Sequence, residues 1–215
     1  MKNIVFIIIF LLIAESSYAQ KVLVNVEKVA CHEDFQGFYL KITLKKRGKI
    51  WVRETKDYHM KSLLDEELTN EDRFEVMRAL IPCFNDYSQS CNKVERYYID
   101  SFQIEYPGMP VPNSKSYNIA IDAMFALNRL FYPSYLHRIS TYPVLFDSKT
   151  LKEVNNEPKF IKQMADKYLE WFKLKQDSTF LKDSFMPIDD LKFLNQGTVK
   201  WWDMMLVEKG ERESI

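Results

Sequence analysis

The stretch over residues 117–131 constrains the fold most. Ile119, Ala120, Ala123, Met124, Ala126, Leu127, Leu130 and Phe131 fall at helical spacing and leave only a narrow polar stripe of Asn118, Asp122 and Arg129. A helix this apolar is buried on most of its sides, so other elements have to surround it. The pattern therefore predicts a central helix over 117–131, with Ser116 available as its cap.

Elements suited to cover that helix stand on both sides of it in the chain. Val22, Val24 and Val26 alternate with Leu23, Asn25 and Glu27, the period of two that a half-buried strand requires. Phe38, Leu40, Ile42 and Leu44 alternate with Tyr39, Lys41, Thr43 and Lys45. The run Lys46-Arg47-Gly48-Lys49 then turns the chain into Ile50-Trp51-Val52-Arg53. This is a hairpin pattern with Gly48 free to take a left-handed conformation. Residues 96–106 read as a further strand, closed by Pro107, Gly108, Pro110 and Pro112. A short helical turn is expected at 133–138, and a strand at 143–146 leading into an Asp147-Ser148-Lys149 turn.

Two more helices complete the reading. Thr69 or Asn70, followed by Glu71 and Asp72, opens a helix over 73–81 with its acids at the positive end of the dipole and Pro82 just past its close. Over 158–174, Phe160, Ile161, Met164, Ala165, Tyr168, Leu169, Trp171 and Phe172 recur on one face. Asn156 is its candidate cap and Pro158 suits its first turn. Residues 177–205 read as a loop-rich wrap and 208–215 as a charged tail. The fold class predicted is α+β: a small antiparallel sheet packed against a buried central helix and a C-terminal amphipathic helix. No internal repeat or low-complexity linker interrupts it, so residues 20–215 are expected to form one domain.

The start of the chain sets the compartment. Lys2 precedes an apolar run from Ile4 to Ala14, and Ser17 and Ala19 stand at the −3 and −1 positions of a cleavage site. That is the organisation of a secretory signal peptide over residues 1–19. The run is too short for the roughly 20 residues that cross a bilayer, and Glu15 closes it, so no stable membrane anchor is expected. Export leads to the periplasm or the extracellular space. In such a compartment the three cysteines, Cys31, Cys83 and Cys91, are disulfide material with one left over. Cys83 and Cys91 are the nearest pair, flanking a polar loop, and are the candidate bond. Cys31 could instead pair with either.

Composition removes several functions. With 30 basic and 30 acidic residues the chain is formally neutral and carries no built-in attraction for nucleic acid. Its five glycines stand far apart, so neither a phosphate loop nor a dinucleotide fingerprint can be assembled, and no cofactor is implied. Cys31-His32-Glu33-Asp34 gathers possible metal ligands, but consecutive side chains diverge and zinc sites need spaced ligands. The chain has three histidines and no nucleophile elbow. His137 near Ser134 or Ser140 is the best serine–histidine proximity for a hydrolase. Acidic pairs at Glu71-Asp72 and Asp189-Asp190 fit helix starts better than a glycosidase.

Two groups remain. Asp122 and Arg129, seven residues apart on an apolar helix, share a face with Asn118 and predict a buried polar network or ion pair. Tyr97 and one tryptophan of the pair Trp201 and Trp202 are candidate exposed interface aromatics, since neighbouring rings in a strand point to opposite faces and only one of each pair can fill the core. The function expected from these features is an exported, non-enzymatic protein that binds a macromolecular partner, most simply a protein. A carbohydrate-binding module using those rings and a small secreted hydrolase are the alternatives.

Overall fold

A computed structural model gives the fold and describes residues 21–31, 36–57, 59–63, 66–97, 111–131, 140, 142–177, 193–194 and 196–202. The leader, His32 to Asp34, the strand expected beyond Tyr97, the turn at 133–138 with His137, Asp189-Asp190, most of the C-terminal wrap and the charged tail lie outside the described residues.

The architecture is mixed α+β, with eight strands in two sheets and three α-helices among the described residues. In chain order the first elements are β1 (Leu23–Ala30), β2 (Phe38–Lys46), β3 (Lys49–Glu54), α1 (Asn70–Leu80), a 3-10 helix (Ile81–Asn85) and β4 (Gln89–Lys93). There follow β5 (Ser116–Asn118), α2 (Ile119–Phe131), β6 (Leu145–Asp147), β7 (Lys152–Glu153), α3 (Pro158–Asp177) and β8 (Val199–Trp201). The larger sheet runs β1-β2-β4-β5, with β3 also on β2, and the smaller runs β7-β6-β8. All pairings are antiparallel except the short parallel contact of β2 with β4 at Phe38 and Ser90.

The alternation along β2 decides which way the sheet faces. Leu40, Ile42 and Leu44 are fully buried against the helices, while Lys41, Thr43 and Lys45 take the outer face. At the β2–β3 hairpin both central residues, Arg47 and Gly48, have positive φ (49° and 76°). This is the turn whose twist matches its strands, so the left-handed position extends to Arg47 as well as Gly48.

α1 opens on a capping box in which Thr69 and Asp72 exchange side-chain and backbone hydrogen bonds. Asp72 does more than cap. Its Oδ1 accepts from the Val22 amide at 3.2 Å and its Oδ2 pairs with Lys46. Burial pushes this carboxyl up, but Lys46 and Thr69 outweigh it and hold it below the usual carboxylate range.

α2 is buried along all of its 13 residues, as its composition requires. Two details of its start differ from expectation. Ser116 and Tyr117 belong to β5, and the cap is Asn118, whose Oδ1 accepts from the Ile121 amide at 3.0 Å. α3 buries Ile161, Met164, Ala165, Tyr168, Trp171 and Phe172 and exposes Lys162, Gln163, Asp166 and Glu170. It begins at Pro158, which puts Glu157 rather than Asn156 at its cap position; the Glu157 carbonyl accepts from the Phe160 and Ile161 amides.

The disulfide joins Cys31 to Cys91, not Cys83 to Cys91. The segment read as a polar loop is structured: Ile119 and Ala120 donate to the carbonyls of Ser88 and Asp86, and β4 begins at Gln89. Cys83 is thereby held in the 3-10 helix against the core. Its thiol is free and pushed up to about 11, chiefly by burial. Cys31 reaches Cys91 past Gly37, whose carbonyl accepts from the Cys31 amide. Gly37 sits at φ +135°, and a Cβ there would fall 2.8 Å from Cys91 N and Gln89 O. Gly37→Ala is therefore expected to cost about 1–3 kcal/mol through backbone strain and displaced main chain, read as a lowered denaturant midpoint.

Candidate functional site

Two features of the fold bear on function: a polar network in the core and, on the sheet, an edge of β1 that no strand among the described residues pairs with. The network forms where α2 crosses the inner face of the larger sheet. Thr55, just past β3, returns to β2 by donating its amide to the Leu40 carbonyl and accepting the Leu40 amide on Oγ1 at 3.0 Å. The same hydroxyl donates to Asp122 Oδ2 at 2.6 Å. Asn92, from β4, donates its amide to both carboxylate oxygens at 3.2 Å. Arg129, two turns along α2, donates to the carbonyls of Thr55 and Asp57 and lies 4.2 Å over the Tyr97 ring. Tyr97 OH in turn meets Tyr117 OH at 3.3 Å.

Asp122 and Arg129 thus belong to one network, joined through Thr55. Asn118 stays apart as the helix cap. Asp122 is only 2% exposed, and burial pushes its carboxyl up to about 6 against the opposing pull of Thr55, Asn92 and Arg129. A carboxyl near that value could serve as an acid or base if a substrate reached it. Here both oxygens are already engaged by Thr55 and Asn92, and α2 is covered throughout its length. The chemistry the arrangement supports is structural: it satisfies a buried charge and fastens α2 to β2, β4 and the Thr55–Asp57 turn. Among the described residues no group of three or more His, Cys, Asp or Glu is placed to hold a metal ion.

The aromatics turn inward, which corrects their reading as exposed rings. Tyr97 packs on Phe125 with ring centroids 5.4 Å apart. Trp201 is fully buried, and its Nε1 donates to Tyr168 OH at 3.1 Å, which donates to Asn128 Oδ1 at 2.8 Å. Trp202 lies past the end of β8 and enters a smaller cluster with Tyr142, Val144 and Phe146. Each ring finds its own cluster because the chain leaves the strand between them. The carbohydrate reading loses the three rings it rested on, and an interface, if present, must be built elsewhere.

The edge of β1 offers such a surface. The Cys31 amide donates to Gly37, so odd-numbered residues of β1 direct their main-chain groups to β2 and even-numbered ones direct theirs away. The Val22 amide, on that outward side, is taken by Asp72. Val24, Val26 and Lys28 then present their N–H and C=O groups to no strand among the described residues. Beside them runs a groove of about 360 Å³, with residues 22–24 on one wall and Glu75, Arg78 and Ala79 of α1 on the other. On the outer face of the same sheet, Leu23 (67% exposed) and Ile50 (60%) flank Lys45, and Val52 (44%) pairs with Thr43 in the next row.

Sequence reasoning found the faces of β1 but not its open edge, because alternation reports which side of a strand is buried and not which strand lies beside it. The exposed Leu23 on the polar side of β1 was the one signal present. No protein family, curated protein or solved structure matches this chain.

Proposed function

We propose that the protein is an exported, non-enzymatic binding protein that holds a protein partner, in the cell envelope or outside the cell, by adding an extended strand of that partner to the edge of β1. The observation that carries the reading is the run of outward main-chain groups at Val24, Val26 and Lys28. Strand addition draws its affinity from such groups and its specificity from the pockets that receive alternate side chains. Both are present here, the groove along α1 on one face and the Leu23–Ile50–Val52 surface on the other.

An edge that a protein leaves unused is ordinarily blunted by proline, a bulge, shortness or an inward charge. β1 is eight residues long and has none of the first three. Its inward charge, Lys28, is drawn to Asp86 at 2.6 Å and to Ser88 at 3.3 Å. Export is supported by the leader, and the Cys31–Cys91 bond is compatible with an oxidising compartment. No described helix is long and apolar enough to cross a membrane.

Val26→Pro tests the reading. Its missing N–H is one that faces away from β2, so the β1–β2 ladder keeps its hydrogen bonds. Affinity capture from envelope and culture fractions is expected to recover a saturable partner with the wild-type protein and to lose it with Val26→Pro. A partner held equally by both proteins would exclude the β1 edge as its site.

A further inference from the structure

We infer that the Cys31–Cys91 bond is reached by thiol–disulfide exchange from a bond that Cys83 makes first, so that this chain is a substrate for thiols that rearrange disulfides as well as for the oxidant that makes the first bond. The native bond joins the first of three cysteines to the third and passes over the second. In an unfolded chain the chance that two residues meet falls with about the 3/2 power of their separation. Cys83 and Cys91 stand eight residues apart, whereas Cys31 and Cys91 are separated by 60. The short loop therefore closes about 20-fold more often. Export from the N-terminus does not favour the native pair either, because Cys31 and Cys83 both emerge before Cys91. Each route to a first bond uses Cys83.

Only the folded sheet reverses that preference. The Cys31 amide donates to the Gly37 carbonyl, and β2 meets β4 at Phe38 and Ser90, so the end of β1 is carried to Cys91. The main chain at Gly37 passes so close that a Cβ there would lie 2.8 Å from Cys91 N. Cys83 is held elsewhere. The Asp86 amide donates to its carbonyl, and the Asp86 and Ser88 carbonyls accept from Ala120 and Ile119 at the start of α2. Lys28 fixes the same turn through Asp86 at 2.6 Å. Folding thus gives Cys91 to Cys31 and packs Cys83 against the core.

The exchange balances without an electron donor or acceptor. From a Cys83–Cys91 bond, the Cys31 thiolate attacks Cys91 Sγ. The Cys31–Cys91 bond forms, the Cys83–Cys91 bond breaks, and Cys83 leaves as a thiolate that takes up a proton. From a Cys31–Cys83 bond, the Cys91 thiolate attacks Cys31 Sγ and Cys83 leaves again. One S–S bond replaces another, so an added thiol acts as a catalyst and is not consumed. The fold then closes the way back. Cys83 is half-buried and its thiol is pushed up to about 11, which leaves little thiolate to attack the native bond.

Oxidative refolding of the protein purified after export tests this. The chain is reduced and unfolded in guanidinium, then diluted into oxidised dithiothreitol. Samples are quenched in acid over time, alkylated and cleaved at the aspartates, Asp86 among them, so that each of the three possible bonds links a different pair of peptides. Bonds of Cys83 are expected first, with Cys83–Cys91 about 20-fold above Cys31–Cys91 in the unfolded chain, and the native bond is expected to replace them over seconds to hours. Trace reduced glutathione should shorten that lag several-fold. Cys83→Ala should form Cys31–Cys91 without a lag and without response to glutathione. The census of bonds in the wild type needs no variant, so the test stands even if Cys83→Ala folds poorly. A wild type whose first bond is already Cys31–Cys91, or a lag that persists unchanged in Cys83→Ala, overturns the exchange route.

Discussion

Asp122→Ala is expected to destabilise the protein by about 3–5 kcal/mol, because it takes a partner from three buried groups at once. The Thr55 hydroxyl loses its acceptor, the Asn92 amide loses both of its carboxylate contacts, and Arg129 loses one of the negative charges that favour its own. Asp122→Asn is expected to cost much less. It keeps the shape and an acceptor for Thr55 while removing a charge that burial penalises. Chemical denaturation of the two variants gives the comparison, and equal losses would show that the charged carboxylate itself, and not the shape and single acceptor that Asn retains, carries the stabilisation.

The same residue sets a pH dependence of known sign. Its folded pKa, about 6, lies above the ordinary value of 3.8, so between those values the folded state binds more protons than the unfolded one. Stability therefore falls as pH rises from about 4 to 6 and levels off above, a change of about 1 kcal/mol between pH 7 and pH 5. Asp72, Asp86 and Glu75 act in the opposite sense. Burial raises each, but their partners hold them below the usual range, so their contribution is lost only as pH falls below about 4. The thermal midpoint should then peak between about pH 4 and 5, and Asp122→Asn should flatten the slope above the peak.

Loss of the Cys31–Cys91 bond is expected to have an effect of similar size. The bond spans 60 residues, and the chain-entropy model assigns a loop of that length about 4 kcal/mol. It closes the far end of β1 onto β4 across Gly37, where the two strands share β2 but have no hydrogen bonds to each other. Cys31→Ser and reduction of the wild type should lower the denaturation midpoint by the same amount, and Cys83→Ser should leave it near the wild-type value. A midpoint indifferent to reductant would mean that the sheet is held without the bond.

What the sequence made legible is the set of elements whose own periodicity is strong. The alternation of Val22, Val24 and Val26, the β2–β3 hairpin at Gly48, the capping of α1, and the buried faces of α2 and α3 all follow from local pattern. β6, Leu145–Asp147, overlaps the strand expected at 143–146, whereas β5, β7 and β8 are two or three residues long, too short for a period, and exist because neighbouring strands hold them. β4 escaped notice because Gln89, Ser90 and Asn92 are polar; Asn92 is buried for the sake of Asp122, not of apolar area. The spacing of Asp122 and Arg129 was readable, but the residue that joins them, Thr55, comes from a turn with no signature of its own. Cys31 and Cys91 were separated in sequence and meet only because β2 lies between their strands.

The central claim is that the outward groups of β1 are a binding surface, and residue-resolved amide hydrogen exchange along that strand tests it most directly. In dilute protein the amides of Asn25, Glu27 and Val29, bonded to β2, should exchange slowly, and those of Val24, Val26 and Lys28 rapidly. On binding of a captured partner the second set should slow to match the first. Even-numbered amides that are already protected in the dilute monomer, or that stay fast in the complex, would contradict the account.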